Sequence, residues 1–508
     1  MHPAPTIAER LDRLPLTRRH WMAVVVVGVG IFFDLYEVFL AGTLSTALTE
    51  DFHVTEGQLK PILASAFVGA FLGAILMTRV ADRLGRRRAF YLTLGIYSAF
   101  SVLAAFSVNV DMLIICRFLA GVGIGGELPL CDAYLSDLLP ARCRGRLIGW
   151  AYTIGFCGVP GAGFLALGLV PHTVLGFAGW RWMFLIGGLG AAVCWLLRRG
   201  LPESPRWLAA VGRHDEAAAV VDWFAASAGQ RPEPVAAETE KQPVQHPPAA
   251  PATAPTTAPV KPAPMRELFA APWRKRTVML WVFQVLQVFG YYGFGTLAPL
   301  VLASKGYDIV HSLAFSALTF LGYPLGSLCS VFVIERMERK TLISASALIM
   351  LACGLAFGYC DEPALIIVFG TCYTIASNLF SNAFHVYSGE LYPTTLRARG
   401  AGTGYSLSRL ATAAMPYVLL PLLDSSGANG VFLVIGCAMA AIVLDVSLLG
   451  PRTTGRGLDD VAGRATDGAS DSVTDSATDS VTGGATDPAS PAPGTGTGPD
   501  PEAATHRQ

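Results

Sequence analysis

The chain has 508 residues; 52% are hydrophobic and only 15% are charged, where a soluble protein carries roughly a quarter charged residues. Mean hydropathy is +0.48 and formal net charge is zero. These values exclude an ordinary soluble protein and give no footing for a nucleic-acid partner. Arg far outnumbers Lys. That bias fits a GC-rich bacterial genome, so a bacterial inner membrane is the expected location.

Residues 1–20 are expected to form a cytoplasmic N-terminal segment. The first apolar run is too long for the core of a cleavable signal and carries acids, so it reads as a retained spanning helix. Stretches long enough to cross a bilayer lie near 21–44, 59–81, 89–108, 111–135, 147–170 and 181–198. They fill an N-terminal six-helix unit, 21–200. A cytoplasmic central loop, 201–276, opens with LPESPRWL and continues into RHDEAAAVVDWFAASA, the pattern of an amphipathic surface helix. Its Pro/Ala/Thr/Glu-rich stretch near 229–264 is expected to be disordered. Six more spans lie near 277–303, 312–334, 341–360, 363–388, 400–423 and 429–449, filling a C-terminal unit, 277–450. Residues 451–508, typified by TDGASDSVTDSATDSVTGGATD, cannot build a core and read as a disordered cytoplasmic tail. The expected fold class is an all-α membrane protein with twelve transmembrane helices in two pseudo-symmetric bundles.

The connecting loops alternate in charge. One side carries Arg10, Arg13, Arg18 and Arg19, then Arg83 and Arg86 to Arg88, Arg142, Arg144 and Arg146, Arg336, Arg339, Lys340, Arg397 and Arg399. The other carries Glu50, Asp51, Asp111, Asp361 and Asp424. Basic short loops stay in the cytoplasm, which predicts both termini on that side. Ten cysteines are scattered without CxxC spacing and read as small buried apolar residues.

Two motifs recur at one offset. RVADRLGRRR has its counterpart in VIERMERK, with Asp82 and Glu335 a distance of 335 − 82 = 253 positions apart. YLSDLLPARCRG has its counterpart in YSGELYPTTLRARG, and Tyr134/Tyr387, Asp137/Glu390 and Pro140/Pro393 keep the same offset. One register held across so long a gap indicates a duplicated unit, the construction of many secondary transporters.

With TRVADRLGRR after the second span, CRFLAGVGIGGELP in the fourth, LPESPRWL after the sixth and YSGELYPTTLRARG after the tenth, the sequence resembles the major facilitator superfamily over roughly residues 20–450. Thr78 stands where the loop motif usually has Gly, and the second copy has Glu335 for Asp and Glu338 for Gly. The motifs are similar to the sugar-porter and metabolite:proton symporter branches. FFDLYEVFLAG and FGYYGFGTLAPLVL look more like the latter, which includes nicotinate and aromatic-acid carriers. The resemblance implies alternating access driven by a proton gradient, with no enzymatic activity and no cofactor.

Charges inside a bilayer are costly, so each calls for a functional hypothesis. Asp34 and Glu37 share one face of the first span. Glu37 and Arg117 lie at matched depth, each about 10 Å from the external end of its span. In the sugar-porter branch such an acid and Arg form the proton-coupling pair; the resemblance places that role on Asp34 or Glu37 with Arg117. An acid of this kind is ionised while paired and can take a proton when the pair opens. A static salt bridge is the alternative. Glu127 is a second titrating group or a structural ion-pair member. Arg409, near the midplane of the eleventh span, either recognises an anionic substrate through its planar fork or bonds neighbouring helices. Gln284, Gln287 and Tyr291 form one polar stripe, and Asn378, Asn382 and His385 another; both suit a substrate-binding cavity or helix–helix bonding. Asp82, Arg83, Arg86, Arg87, Asp137, Arg144, Glu335, Arg336, Glu390 and Arg397 are expected to form a cytoplasmic ion-pair latch that stabilises the outward-open state. The run Gly121, Gly123, Gly125, Gly126 lies inside an apolar span, so it is read as close helix packing and not as a nucleotide loop. The function expected is proton-coupled symport of a small organic metabolite, a carboxylate or aromatic acid, by a monomer in contact with lipid. A proton-coupled sugar or polyol porter and a transporter-like sensor are the alternatives.

Overall fold

The computed structural model describes residues 6–229, 265–334, 336–392 and 394–453. The stretch near 229–264 and the tail lie almost wholly outside these residues, as does Glu335.

Chain order begins with a short helix, α1 (Ile7–Arg13), closed by a Thr6–Glu9 capping box. The first span is α2 (Arg18–Thr43), followed by the short α3 (Ser45–Phe52). Spans two, three and four are α4 (Glu56–Leu84), α5 (Arg86–Ala105) and α6 (Val110–Leu138). Gly85, at φ 96°, makes the tight turn between α4 and α5, a conformation that glycine adopts without strain. Asn109 caps α6 by accepting the Met112 N–H at 2.8 Å. Span five is α7 (Arg144–Phe156) running into α8 (Gly158–Leu169), and span six is α9 (Gly179–Leu197). A two-residue hairpin, β1 (Thr173–Val174) with β2 (Phe177–Ala178), joins them.

The central loop holds α10 (Pro205–Ala210) and α11 (His214–Ala226). The amphipathic pattern is realised in α11, which buries Ala217, Ala218, Val221, Phe224 and Ala225. Helix α1 packs on it: Arg10 pairs with Asp222 at 2.7 Å, and His20 of α2 stacks on Phe224 with centroids 4.4 Å apart.

Span seven is α12 (Ala271–Val288), a π-helical turn at Phe289–Gly293, and α13 (Phe294–Ser304). Span eight is α14 (Ile309–Phe320) with α15 (Gly322–Val333); α16 (Arg339–Tyr359) and α17 (Pro363–Glu390) are the ninth and tenth. The last helix, α18 (Thr394–Leu449), contains Gly427 at φ 64° and ψ −167°, which is not helical. It therefore holds the eleventh and twelfth spans end to end. Among the described residues eleven helical segments are long and apolar enough to cross a membrane; dividing the last at Gly427 gives twelve spans.

Glycines set a close contact between α4 and α6. A methyl group on Gly121 would lie 2.1 Å from the Ala66 carbonyl oxygen, and one on Gly125 would lie 2.1 Å from that of Ala70. The reading of this run as close packing of α6 on α4 holds. The two halves meet where α2 packs on α13, α7 on α15, α8 on α14, and α4 on α18. Large apolar side chains such as Ile115, Phe332 and Leu444 face outward, as hydrocarbon contact requires. The cysteine expectation is half corrected: Cys116, Cys131, Cys143 and Cys194 are buried, but Cys157, Cys329, Cys372 and Cys437 are exposed. A small soft side chain loses nothing by facing lipid, so apolar surroundings in the sequence did not imply burial.

Candidate functional site

A cavity of about 910 Å³ lies between the halves. Thr78, Arg79, Met265 and Arg399, on the face of the arginine-rich loops, line its mouth. The opposite end is closed by aromatic rings. Phe39 of α2 lies within 6.5 Å, centroid to centroid, of Tyr291, Tyr292, Phe320 and Tyr323. Phe67 of α4 adds an edge contact to Tyr292 at 5.5 Å. Beside this plug Gly42 meets the Thr296 backbone so closely that a methyl group would lie 2.4 Å from its carbonyl oxygen. Access is thus from one face only.

The first-span acids have different environments. Glu37 accepts a hydrogen bond from Arg117 at 2.8 Å and another from Ser101 at 3.0 Å, and both members of the ion pair are only 1% exposed. Asp34, equally buried, has no hydrogen-bond partner on either oxygen among the described residues. Of the two acids offered for Arg117, geometry brings only Glu37 to it: one helical turn separates them, and the guanidinium reaches the outer one.

Glu127 is an ion-pair member. Arg198 donates to its Oε1 and Thr93 to its Oε2, the latter at 2.7 Å. Arg198 went unnoticed in the sequence because it stands at the end of the sixth span, where a base reads as a loop residue. Gly30 makes room for it: a methyl group there would lie 2.0 Å from the guanidinium.

Asp34, Glu37, Tyr292 and Arg409 line one small void of about 20 Å³, room for a single water molecule. Arg409 donates to the hydroxyls of Tyr292 at 2.7 Å and Tyr405 at 2.6 Å. No carboxylate is among its partners in the described residues. Its side chain also lines the large cavity.

The seventh-span stripe faces that cavity: Gln284, Gln287 and Tyr291 all line it, and Gln287 donates to Ser408 at 2.9 Å. The tenth-span stripe divides. Asn382 and His385 line the cavity, whereas Asn378 is fully buried and does not. Asn378 accepts from Asn382 at 3.0 Å, and Gly326 of α15 packs against its Cβ. A turn deeper on α17 the neighbouring helix closes in, so Asn378 is a helix-contact residue and not a cavity residue. Among the cavity residues that the sequence reading did not single out are Asp132 of α6 and Tyr152 of α7, whose hydroxyl donates to Asp132 at 3.0 Å. The available signal was an acid inside the fourth span.

Several of the latch residues form ion pairs between helix ends within one half. Asp82 pairs with Arg86 at 2.7 Å on its own side of the molecule and is 63% exposed. Arg86 also approaches Asp137 at 3.8 Å, and Ser204 donates to Asp137 at 2.7 Å. Arg87 donates to Tyr91 and to the Arg199 carbonyl. Arg144 reaches Asp12 of α1 at 3.8 Å. In the other half Arg339 approaches Glu390 at 3.6 Å. Arg83 and Arg336 are exposed, without an ion-pair partner among the described residues; Glu335 and the Arg397 side chain lie outside them. These pairs tie helices within one half and do not bridge the halves, because the cavity mouth holds the two sets of helix ends apart. Glu203, from LPESPRWL, was missed: it accepts the Arg86 and Arg87 backbone N–H groups at 2.9 and 3.1 Å and so caps α5.

The family model described as sugar (and other) transporter matches residues 22–463. The niacin transporter NiaP of Acinetobacter baylyi (strain ATCC 33305 / BD413 / ADP1) is 30% identical over 460 residues, covering 90% of this chain and 99% of that protein. The inner membrane metabolite transport protein YdjE of Escherichia coli (strain K12) is 28% identical over 464 residues, with 90% and 98% covered. Among solved structures, the partially occluded inward open conformation of the xylose transporter XylE from E. coli aligns with a TM-score of 0.67 at 19% identity, covering 86% of this chain and 99% of that one. A cavity between two six-helix halves is the geometry of alternating access. With the family match spanning most of its length, the chain belongs to the sugar (and other) transporter family of the major facilitator superfamily, and is a multi-pass inner-membrane transporter of a small molecule and not an enzyme.

Proposed function

We propose that this transporter couples inward proton flow to uptake of a small carboxylate with an aromatic body. The observation that carries this is Arg409: a buried guanidinium at the cavity floor whose partners among the described residues are two tyrosine hydroxyls and no acid. A buried charge without a counter-charge is costly, and an incoming carboxylate supplies one with matching fork geometry. Phe71, Phe156, Trp281, Phe283 and Phe384 on the cavity wall suit a flat ring. A relative of this chain is a niacin transporter, and niacin is a ring carboxylate.

In this reading the arginine-rich face is cytoplasmic and the conformation is inward-open. Asp34 is the proton site, because neither of its oxygens is engaged by a described residue, while Arg117 and Ser101 hold Glu37. The void shared by Asp34 and Arg409 supports this pairing of a proton site with a substrate site. The proton gradient drives the cycle, with no cofactor, in a monomer. A second reading, a sugar or polyol porter, draws on the amides of Gln284, Gln287 and Asn382 in the same cavity. Purified protein in proteoliposomes with an acidic exterior decides between them. An aromatic carboxylate is expected to accumulate, and a protonophore to abolish accumulation. Accumulation of neutral sugars with no acid transported overturns the carboxylate reading.

A further inference from the structure

The cavity is charged asymmetrically. Among the described residues its ionisable lining on the C-terminal half is Arg399, Arg409 and His385, and on the N-terminal half Arg79 at the mouth and Asp132. Asp132 is the lone carboxylate of the large cavity. It is exposed to the cavity space, and its one hydrogen-bond partner among the described residues, the Tyr152 hydroxyl, engages only Oδ1. Oδ2 is left to the cavity contents. Depth places it level with Tyr405, one helical turn nearer the mouth than the arginine. Asp132 lies about 9 Å from the end of α6 at Leu138, and Tyr405 lies about 9 Å into the eleventh span from Arg399, counted by helix rise. Arg409 is one turn deeper than Tyr405 on the same helix and is bonded to it.

We infer that Asp132 is a specificity-determining residue that selects acids bearing a proton donor, a hydroxyl or ammonium group, at the end remote from the carboxylate. The inference rests on the reading of Arg409 as the carboxylate anchor. In its ionised form the Asp132 carboxylate only accepts hydrogen bonds, so in that form Oδ2 matches a donor on the substrate. The same charge repels a second carboxylate, so diacids of equal length are rejected. Attraction at one end and repulsion at the other fix the orientation of the molecule between the halves. Tyr152, by holding Oδ1, is the positioning residue for Asp132.

The test is binding of three probes to the full-length protein in detergent or proteoliposomes: 4-hydroxybenzoate, benzoate and benzene-1,4-dicarboxylate. The wild type should prefer the hydroxy acid and bind the diacid worst. Asp132→Asn should weaken the hydroxy acid about tenfold or more, the scale of a lost charged hydrogen bond. It should leave benzoate unchanged and tighten the diacid. Tyr152→Phe should shift the same ranking less. Unchanged benzoate binding shows that each variant is folded. Arg409→Gln should weaken all three acids. If the wild type does not distinguish hydroxybenzoate from benzoate, or Asp132→Asn moves all three acids equally, the inference is overturned and the Arg409 reading stands. If no acid binds and xylose does, the carboxylate reading itself fails and takes this inference with it.

Discussion

Two carboxyl groups one turn apart on α2 have different environments, and they separate by mutation. Glu37→Gln removes the counter-charge of a fully buried Arg117, a change that typically costs about 3–5 kcal/mol. Reduced thermal stability and yield are expected, along with lost transport. Asp34→Asn breaks no ion pair or hydrogen bond among the described residues, so the protein should remain as stable as wild type. It should lose accumulation against a gradient yet keep counterflow exchange; wild-type accumulation by this variant would remove Asp34 as the proton site. At Arg409 charge and shape are separable. Lys keeps the charge and loses the two-pronged fork, so Arg409→Lys should raise the apparent KM for a carboxylate and Arg409→Gln should raise it further. Truncating one partner of a buried charge pair typically costs about 2–5 kcal/mol. Unchanged affinity in the Gln variant would show that the anion is bound elsewhere.

At the scale of elements, packing of α4 on α6 decides where the charged side chains of α6 point. The glycines at 121 and 125 let the helices touch backbone to backbone. A larger side chain must push them apart or rotate α6, and overpacking costs about 1–3 kcal/mol. Gly125→Val should therefore lower the melting temperature and also impair transport, since Arg117 and Glu127 ride on the same helix. Gly145→Ala is the control: nothing lies within 4 Å of the added methyl, and no change is expected. Thermal unfolding in detergent, read beside uptake, checks both; an unaffected Gly125→Val would mean that α6 is not held by this contact. Another element-scale device is the Glu203 cap on α5, which joins the central loop to the turn carrying Asp82.

For the whole molecule, the conformation described is closed at the aromatic plug and open at the arginine-rich face. Among the described residues Asp82 pairs only within its own half and is largely exposed, so the latch hypothesis assigns any bridging of the halves to the opposite conformation. Asp82→Asn should leave folding and melting temperature near wild type and slow transport by depopulating the state in which this face is closed. Spin-label distances across the cavity mouth should lengthen on average in the variant. Wild-type rates and distances would remove the latch hypothesis.

Much of this was legible in the sequence. Apolar stretches of spanning length can satisfy their backbone in hydrocarbon only as helices, so the spans could be counted, and two motifs at a constant offset showed the duplication. The cost of intramembrane charge flagged Asp34, Glu37, Arg117, Glu127 and Arg409 without any coordinates. What the chain alone left open was pairing. Whether Arg117 meets Asp34 or Glu37, whether Glu127 finds Arg198, and whether Asn378 sees the cavity depend on the rotation and crossing of helices far apart in sequence. Those angles are set by contacts such as Gly121 on Ala66 and Gly326 on Asn378. Local periodicity gives the face of a helix but not the neighbour it turns toward, and so the placing of Asp132 and Arg409 on one cavity was decided by the tertiary structure alone.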